Sequence, residues 1–355
     1  MDACWYKQGH ALLQQISQTD FGESVVSLWY IGQMGVIVKW RGMVLCIDPV
    51  LGAMPGADGR DRRSYPAPFR ARELKADFIF CTHDHADHMH PETLAGLAQA
   101  NPGLTIVVPR PLVEKAGGFG IPANQLRGAR QGQKLSLGKE IAVTPVATAH
   151  ENYEFDAEGN SRTLGYVIEL GGHRLFHSGD TVVTEQLRDD LRAFCGFDAA
   201  MLPINGRDLA RNLRGIVGNM NSREACWLAE QIGADLVIPL HYDMIPGNGE
   251  NPLFLPTASG IMLPAANTTS SSWGSDTCWD EPCMRAKTVK STACWRCGND
   301  KPPAFPGLGR GTRHPVCPGR SPQPECGQQQ TALGNQKNAP EGKRGGYGVY
   351  QRRHQ

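Results

Sequence analysis

Apolar residues gather along this chain in short dense runs rather than in long helical stripes. Runs at 24–31, 35–40 and 43–47 are rich in Val, Ile, Trp and Tyr and predict three strands, the last two joined by the Arg41-Gly42 turn. Their close succession predicts a β-meander. Further runs at 77–80, 104–108, 140–147, 164–170, 174–177, 198–202 and 235–240 predict buried strands. Stretches at 91–100, 111–116, 184–194 and 222–232 predict helices, with His90 and Ser222 as caps and Pro91 in a first turn. Residues 50–70, rich in Gly, Pro and Arg, predict a long loop at a substrate entrance. A meander followed by alternating strands and helices implies an α/β fold of two packed sheets with helices outside.

This patterning stops near residue 255. From 256 to 355 only eight of one hundred residues are Leu, Ile, Val or Phe, and no strand or helix period survives. Such a stretch buries too little apolar surface to offset its ordering entropy, so the expected organisation is an ordered domain over 1–255 and a disordered tail over 256–355. The tail carries 13 Lys and Arg against 6 Asp and Glu, which leaves the first part acidic although the whole chain is nearly neutral. Its basic excess, with Trp273, Trp279 and Trp295, admits nucleic-acid binding, but a solvated segment is the preferred reading. Cys294-x-x-Cys297 is a zinc half-site without a second knuckle among Cys278, Cys283, Cys317 and Cys326. The tail is either an added module or an ending produced by a shifted reading frame, and the abrupt change of composition favours the second. If closing strands are lost, an exposed sheet edge would favour association of copies.

No run approaches the 18 apolar residues of a membrane span, and residues 1–16 lack the layout of a secretory signal. Cys4, Cys46, Cys81, Cys195 and Cys226 are scattered, as expected of reduced core residues in a cytoplasmic protein.

The candidate chemistry lies in one loop. Between the run at 77–80 and the helix at 91–100, His83, His85, Asp87 and His88 place four potential metal ligands within six residues. Imidazole and carboxylate suit divalent Zn, Mn or Fe, and two ligand pairs so close invite two ions. His150, Asp180 and His241 each follow a later apolar run, where they would face the same sheet edge; Asp48 ends the third strand. Two divalent cations sharing one water would give hydroxide at neutral pH, able to attack a carbonyl or phosphorus without a Ser or Cys nucleophile. No G-x-S-x-G elbow or phosphate-binding loop competes with this reading.

His83-x-His85-x-Asp87-His88 after a strand resembles the motif of the metallo-β-lactamase superfamily of hydrolases. The resemblance implies the metallo-β-lactamase fold, a four-layer αββα sandwich, with two divalent metal ions, Zn or Mn. It further implies that His83, His85 and His150 hold one ion, that Asp87, His88 and His241 hold the other, and that Asp180 bridges both. Asp87 and Asp180 would be the catalytic carboxylates, and Asp48 would orient a ligating imidazole. The strings at 29–35, 176–180, 201–206, 218–220 and 238–243 look like the branch containing L-ascorbate-6-phosphate lactonase. That implies opening of the lactone ring of a phosphorylated sugar acid, with Arg207, Arg211 and Arg214 as candidates for its phosphate. The alternatives are a phosphodiesterase or other ester hydrolase on the same site, or a nucleic-acid-binding protein with a relic hydrolase core.

Overall fold

The structure, a computed structural model, describes residues 7–138, 140–252 and 288–290. Its strands are β1 Val25–Gly32, β2 Gly35–Trp40, β3 Met43–Ile47, β4 Phe78–Phe80, β5 Thr105–Pro109, β6 Leu126–Ala129, β7 Leu135–Gly138, β8 Ile141–Ala147, β9 Leu164–Leu170, β10 His173–His177, β11 Ala199–Pro203, β12 Val237–Leu240 and β13 Thr288–Lys290. Its helices are α1 Gly9–Gln18, α2 Pro91–Ala100, α3 Val113–Gly117, α4 Glu185–Arg192, α5 Leu209–Asn212 and α6 Ser222–Gln231. One sheet runs β13-β1-β2-β3-β4-β5-β6 and the other β12-β11-β10-β9-β8-β7. The meander β1-β2-β3 is antiparallel and β3 to β6 are parallel. In the second sheet β7 to β10 alternate in direction, and β10, β11 and β12 are parallel.

Period-2 alternation separates the layers. On β2, Val36, Val38 and Trp40 enter the core between the sheets, whereas Ile37 faces the other way, towards the helices. Leu45 and Ile47 meet Tyr166, Ile168 and Met201 in that central core. Behind the first sheet, Cys46, Ile79 and Ile106 pack on Leu12 and Ile16 of α1 and Leu94 and Leu97 of α2. Behind the second, Val167, Phe176 and Leu202 pack on Leu187 and Leu191 of α4 and on Ala225 and Leu228 of α6. Three apolar layers between four layers of secondary structure make the αββα sandwich.

Several expectations change in detail. Asn221, not Ser222, caps α6, because its Oδ1 accepts from the N–H groups of Arg223 and Glu224 while the Ser222 hydroxyl donates to Glu250. Cys46 and Cys81 are buried core residues, but Cys195 is exposed in a left-handed turn after α4. The expected featureless tail lies outside the described residues, apart from β13, which pairs antiparallel with Val25, Val26 and Ser27. The tail cysteines and tryptophans, and Cys4, lie outside the described residues. Among the described residues no helix is long and apolar enough to cross a membrane.

Candidate metal centre

Strands β3, β4, β8, β10 and β12 all end at one edge of the sandwich, and the polar residue that follows each apolar run is delivered there. After β4 the chain turns through His83, His85, Asp87 and His88 before α2. That helix starts where His90 Nδ1 accepts from the Thr93 N–H. His150 follows β8, Asp180 follows β10 and His241 follows β12. The structure thereby brings together all seven side chains.

Three overlapping groups form, with the candidate donor atoms of each within 4.8 Å of one another: His83, His85 and His150; His83, His88 and Asp180; and Asp87, His88 and His241. Asp180 lies between the first and the third. Its Oδ2 is 3.4 Å from His88 Nε2, 3.2 Å from His241 Nε2 and 3.7 Å from His150 Nε2. Asp87 Oδ2 is 3.5 Å from His241 Nε2 and 3.8 Å from His88 Nε2.

Backbone strain and buried hydrogen bonds hold this arrangement. Asp48 and His241 adopt left-handed φ of 44° and 59°, uncommon for residues with a Cβ. Asp48 is fully buried. Its Oδ2 is 2.8 Å from His88 Nδ1 and accepts from Thr82 Oγ1 at 2.6 Å, while Oδ1 accepts from the Thr82 N–H at 2.8 Å. The Asp48 contact places a proton on Nδ1 and turns Nε2 of His88 towards Asp180. His177, a buried strand residue, accepts from the Gly179 N–H through Nδ1 and bonds the Met34 carbonyl through Nε2.

The protonation tendencies reflect a buried cluster of mixed charge. Burial drives the His83 imidazole well below its usual value and His150 down to about 4. Burial also opposes charge on His88 and His241, but carboxylates outweigh it. Asp180, Asp87 and Asp48 raise His88, and Asp180 and Asp87 push His241 up to about 9. Asp87 and Asp180 resist the effect of burial and stay well below the ordinary carboxylate range beside these imidazoles.

Whether divalent cations fit can be judged from the donors themselves. His83 Nε2, His88 Nε2, His150 Nδ1 and Asp180 Oδ1 are buried with no hydrogen-bond partner. Orphaned polar atoms are costly in a folded protein unless something else satisfies them. Imidazole nitrogens and carboxylate oxygens converging without partners suit hard or borderline divalent ions. The residues fit the group.

The cluster floors a cleft of about 220 Å³, walled by Met54, Ile216, Val217 and Ile245, with Arg62 and Asn248 at its rim. The three arginines suggested from sequence are not among its lining residues. Arg207 makes a two-pronged pair with Glu224 at 2.7 and 2.8 Å. Arg211 bonds Asp208 and the Asn205 carbonyl, and Arg214 bonds the Ala210 carbonyl. Arg62 makes no side-chain ion pair or hydrogen bond among the described residues. Sequence reasoning also passed over Thr82 and Gln33. Gln33, in the Gly32-Gln33-Met34-Gly35 turn, is buried at φ 56° and donates from Nε2 to Asp87 Oδ2 at 2.8 Å. Its signals in the sequence are its place in the string at 29–35 and a polar residue between two glycines inside an apolar hairpin.

A model of the Beta-lactamase superfamily domain matches residues 44–242. A UPF0173 metal-dependent hydrolase of Chloroflexus aurantiacus is 32% identical over 189 residues, covering 51% of this chain and 70% of the relative. One from Thermus thermophilus is 27% identical over 225 residues, covering 62% and 86%. Among solved structures, Igni18, a metallo hydrolase from Ignicoccus hospitalis, superposes with a TM-score of 0.52 at 19% identity, over 67% of this chain and 94% of that one. An isothiocyanate hydrolase from Delia radicum gut bacteria gives 0.53 at 17% identity, over 67% and 96%. At such identities the solved structures show a shared fold alone.

Proposed function

The chain belongs to the beta-lactamase superfamily and, within it, to the UPF0173 metal-dependent hydrolases; on that premise we propose that its cleft hydrolyses a small cyclic or open ester. The specific substrate we propose is the lactone of a phosphorylated sugar acid such as L-ascorbate 6-phosphate. The observation that carries the reading is the convergence of seven donor side chains from both sheets, several with buried atoms that have no hydrogen-bond partner.

In this reading His83, His85 and His150 hold one divalent ion, Zn or Mn, and Asp87, His88 and His241 hold the other, with Asp180 shared. Bound there, such ions supply an acidified water and a Lewis-acid contact for a carbonyl oxygen. The chain's own groups do the rest. Asp48 keeps the Nδ1 proton of His88 and so leaves Nε2 free for ligation. Asp180 Oδ1, buried and without a hydrogen-bond partner, is available to accept a hydrogen bond within the site. Met54, Ile216, Val217 and Ile245 exclude bulk water from one side of the substrate. The anion contact falls to Arg62, because Arg207, Arg211 and Arg214 already bond Glu224, Asp208 and backbone carbonyls.

Turnover of paired phosphorylated and unphosphorylated lactones, with phosphodiesters alongside, tests this directly. Lactone hydrolysis that requires Zn or Mn supports the proposal; activity confined to phosphodiesters would replace it. Arg62→Ala is expected to raise KM for the phosphorylated lactone about tenfold or more beyond its effect on the unphosphorylated one, the loss of a charge-assisted contact. An equal effect on both substrates would remove Arg62 from that role, and a larger selective effect of Arg207→Ala would return the role to Arg207.

A further inference from the structure

The group of Asp87, His88 and His241 is assembled from opposite sheets: Asp87 and His88 leave β4 of the first, and His241 leaves β12 of the second. Side chains contributed by separate layers hold a fixed spacing only if something ties the layers together at that point. Gln33 touches both. Its Nε2 lies 2.8 Å from Asp87 Oδ2 and 3.0 Å from His241 Nε2, and its backbone carbonyl accepts from the His241 N–H at 2.8 Å. The turn carrying Gln33 is itself clamped to the second sheet, since His177 bonds the carbonyl of Met34 and Tyr30 donates to Asp243 at 2.7 Å. Gln33 is 1% exposed and sits at a left-handed φ of 56°, a conformation held against its intrinsic preference. Among the described residues no comparable side chain bridges the group of His83, His85 and His150, whose imidazoles meet edge to face at centroid separations of 4.6 to 5.2 Å.

We propose that Gln33 is a positioning residue that sets the affinity of the Asp87–His88–His241 site for its divalent ion, leaving the His83–His85–His150 site untouched. This rests on the metal-centre reading given above. The amide orients the Asp87 carboxylate by hydrogen bonding, and the backbone carbonyl of the same residue fixes where His241 begins. Removal of a hydrogen-bonding partner of a ligand typically lowers metal affinity about 10–100-fold.

The experiment is a titration of the metal-free full-length protein with Zn and, separately, Mn against a competing chelator, for wild type, Gln33→Met and Gln33→Asn. Met fills the side-chain volume without the amide. Asn tolerates the left-handed backbone but is too short to reach both partners. Both variants keep the carbonyl that receives the His241 N–H. Thermal unfolding of the metal-free proteins is recorded in parallel. The expected result is two binding events in the wild type, of which one is weakened about 10–100-fold in both variants and the other is unchanged. Unchanged affinity at both sites would overturn the proposal. So would equal weakening of both sites, or weakening matched by a collapse of thermal stability, which mark a merely structural residue. A wild-type protein that binds no divalent ion would fail earlier, taking the metal-centre reading with it.

Discussion

Gly179 sits where the second sheet leans on the first. Its φ is 61°, and a Cβ there would lie 2.6 Å from the Thr82 Cβ and 2.8 Å from its Oγ1. Thr82 is the residue that donates twice to Asp48, so any push on it passes to His88. Gly179→Ala therefore combines left-handed strain with overpacking and is expected to destabilise the fold by about 2–5 kcal/mol. Urea unfolding with an unchanged m-value would measure it; a loss under about 0.5 kcal/mol, the range of neutral surface changes, would contradict the close approach. Asp48→Asn keeps the volume but weakens the hold on His88 and is expected to lower metal affinity about 10–100-fold. That the seven donors meet was legible because four share the loop after the run at 77–80 and His150, Asp180 and His241 each follow a later apolar run. Gln33 and Thr82 were not, because their importance comes from contacts across the two sheets, which one-dimensional spacing does not carry.

Helix starts were visible where a polar residue interrupts apolar periodicity, and the ambiguity lay in which of two polar neighbours caps. Asn221 and Ser222 both qualify by type; the Asn wins because its longer side chain reaches two N–H groups at 3.0 Å. Helix α1 was missed, since apolar positions are sparse in it. It is held instead from the sheet, where Lys39 Nζ donates to the carbonyls of Ile16 and Ser17 at its C-terminal end. Strands β6 and β7 were missed because each is four residues long and contains glycine. At α2 the cap predicts a pH effect. His90 Nδ1 accepts from Thr93 while Nε2 lies 3.0 Å from the Ala53 carbonyl, which fixes the neutral tautomer; burial lowers its pKa. A folded-state pKa below the unfolded value of about 6.5 means the contribution is present above that pH. It is lost as pH falls towards the folded value. His90→Ala is expected to cost about 0.5–2 kcal/mol at pH 8. The difference from wild type should shrink at pH 5, and a difference that grew on acidification would contradict the cap.

At the scale of the whole molecule the sandwich is a rigid bracket for the metal centre. Leu45, fully buried between the sheets, is expected to lose about 2–5 kcal/mol when cut to Ala. All seven donors precede residue 253, so a chain ending at Pro252 should bind the same metal equivalents as the full chain. It should also unfold at lower temperature, because β13 no longer pairs with Val25, Val26 and Ser27. The meander, the alternation and the αββα layering were legible because strand-length apolar runs report burial on both faces. The edge strand β13 was not, for it pairs through its backbone within a sequence that carries no strand pattern.

Two neighbouring sites built from both sheets are each expected to take a divalent ion. Metal analysis of the purified full chain after loading with Zn or Mn measures this most directly, with His150→Ala and His241→Ala beside the wild type. Two equivalents are expected per wild-type chain and one in each variant, with both variants folded. Less than one equivalent in the wild type, or two retained in either variant, would contradict that expectation.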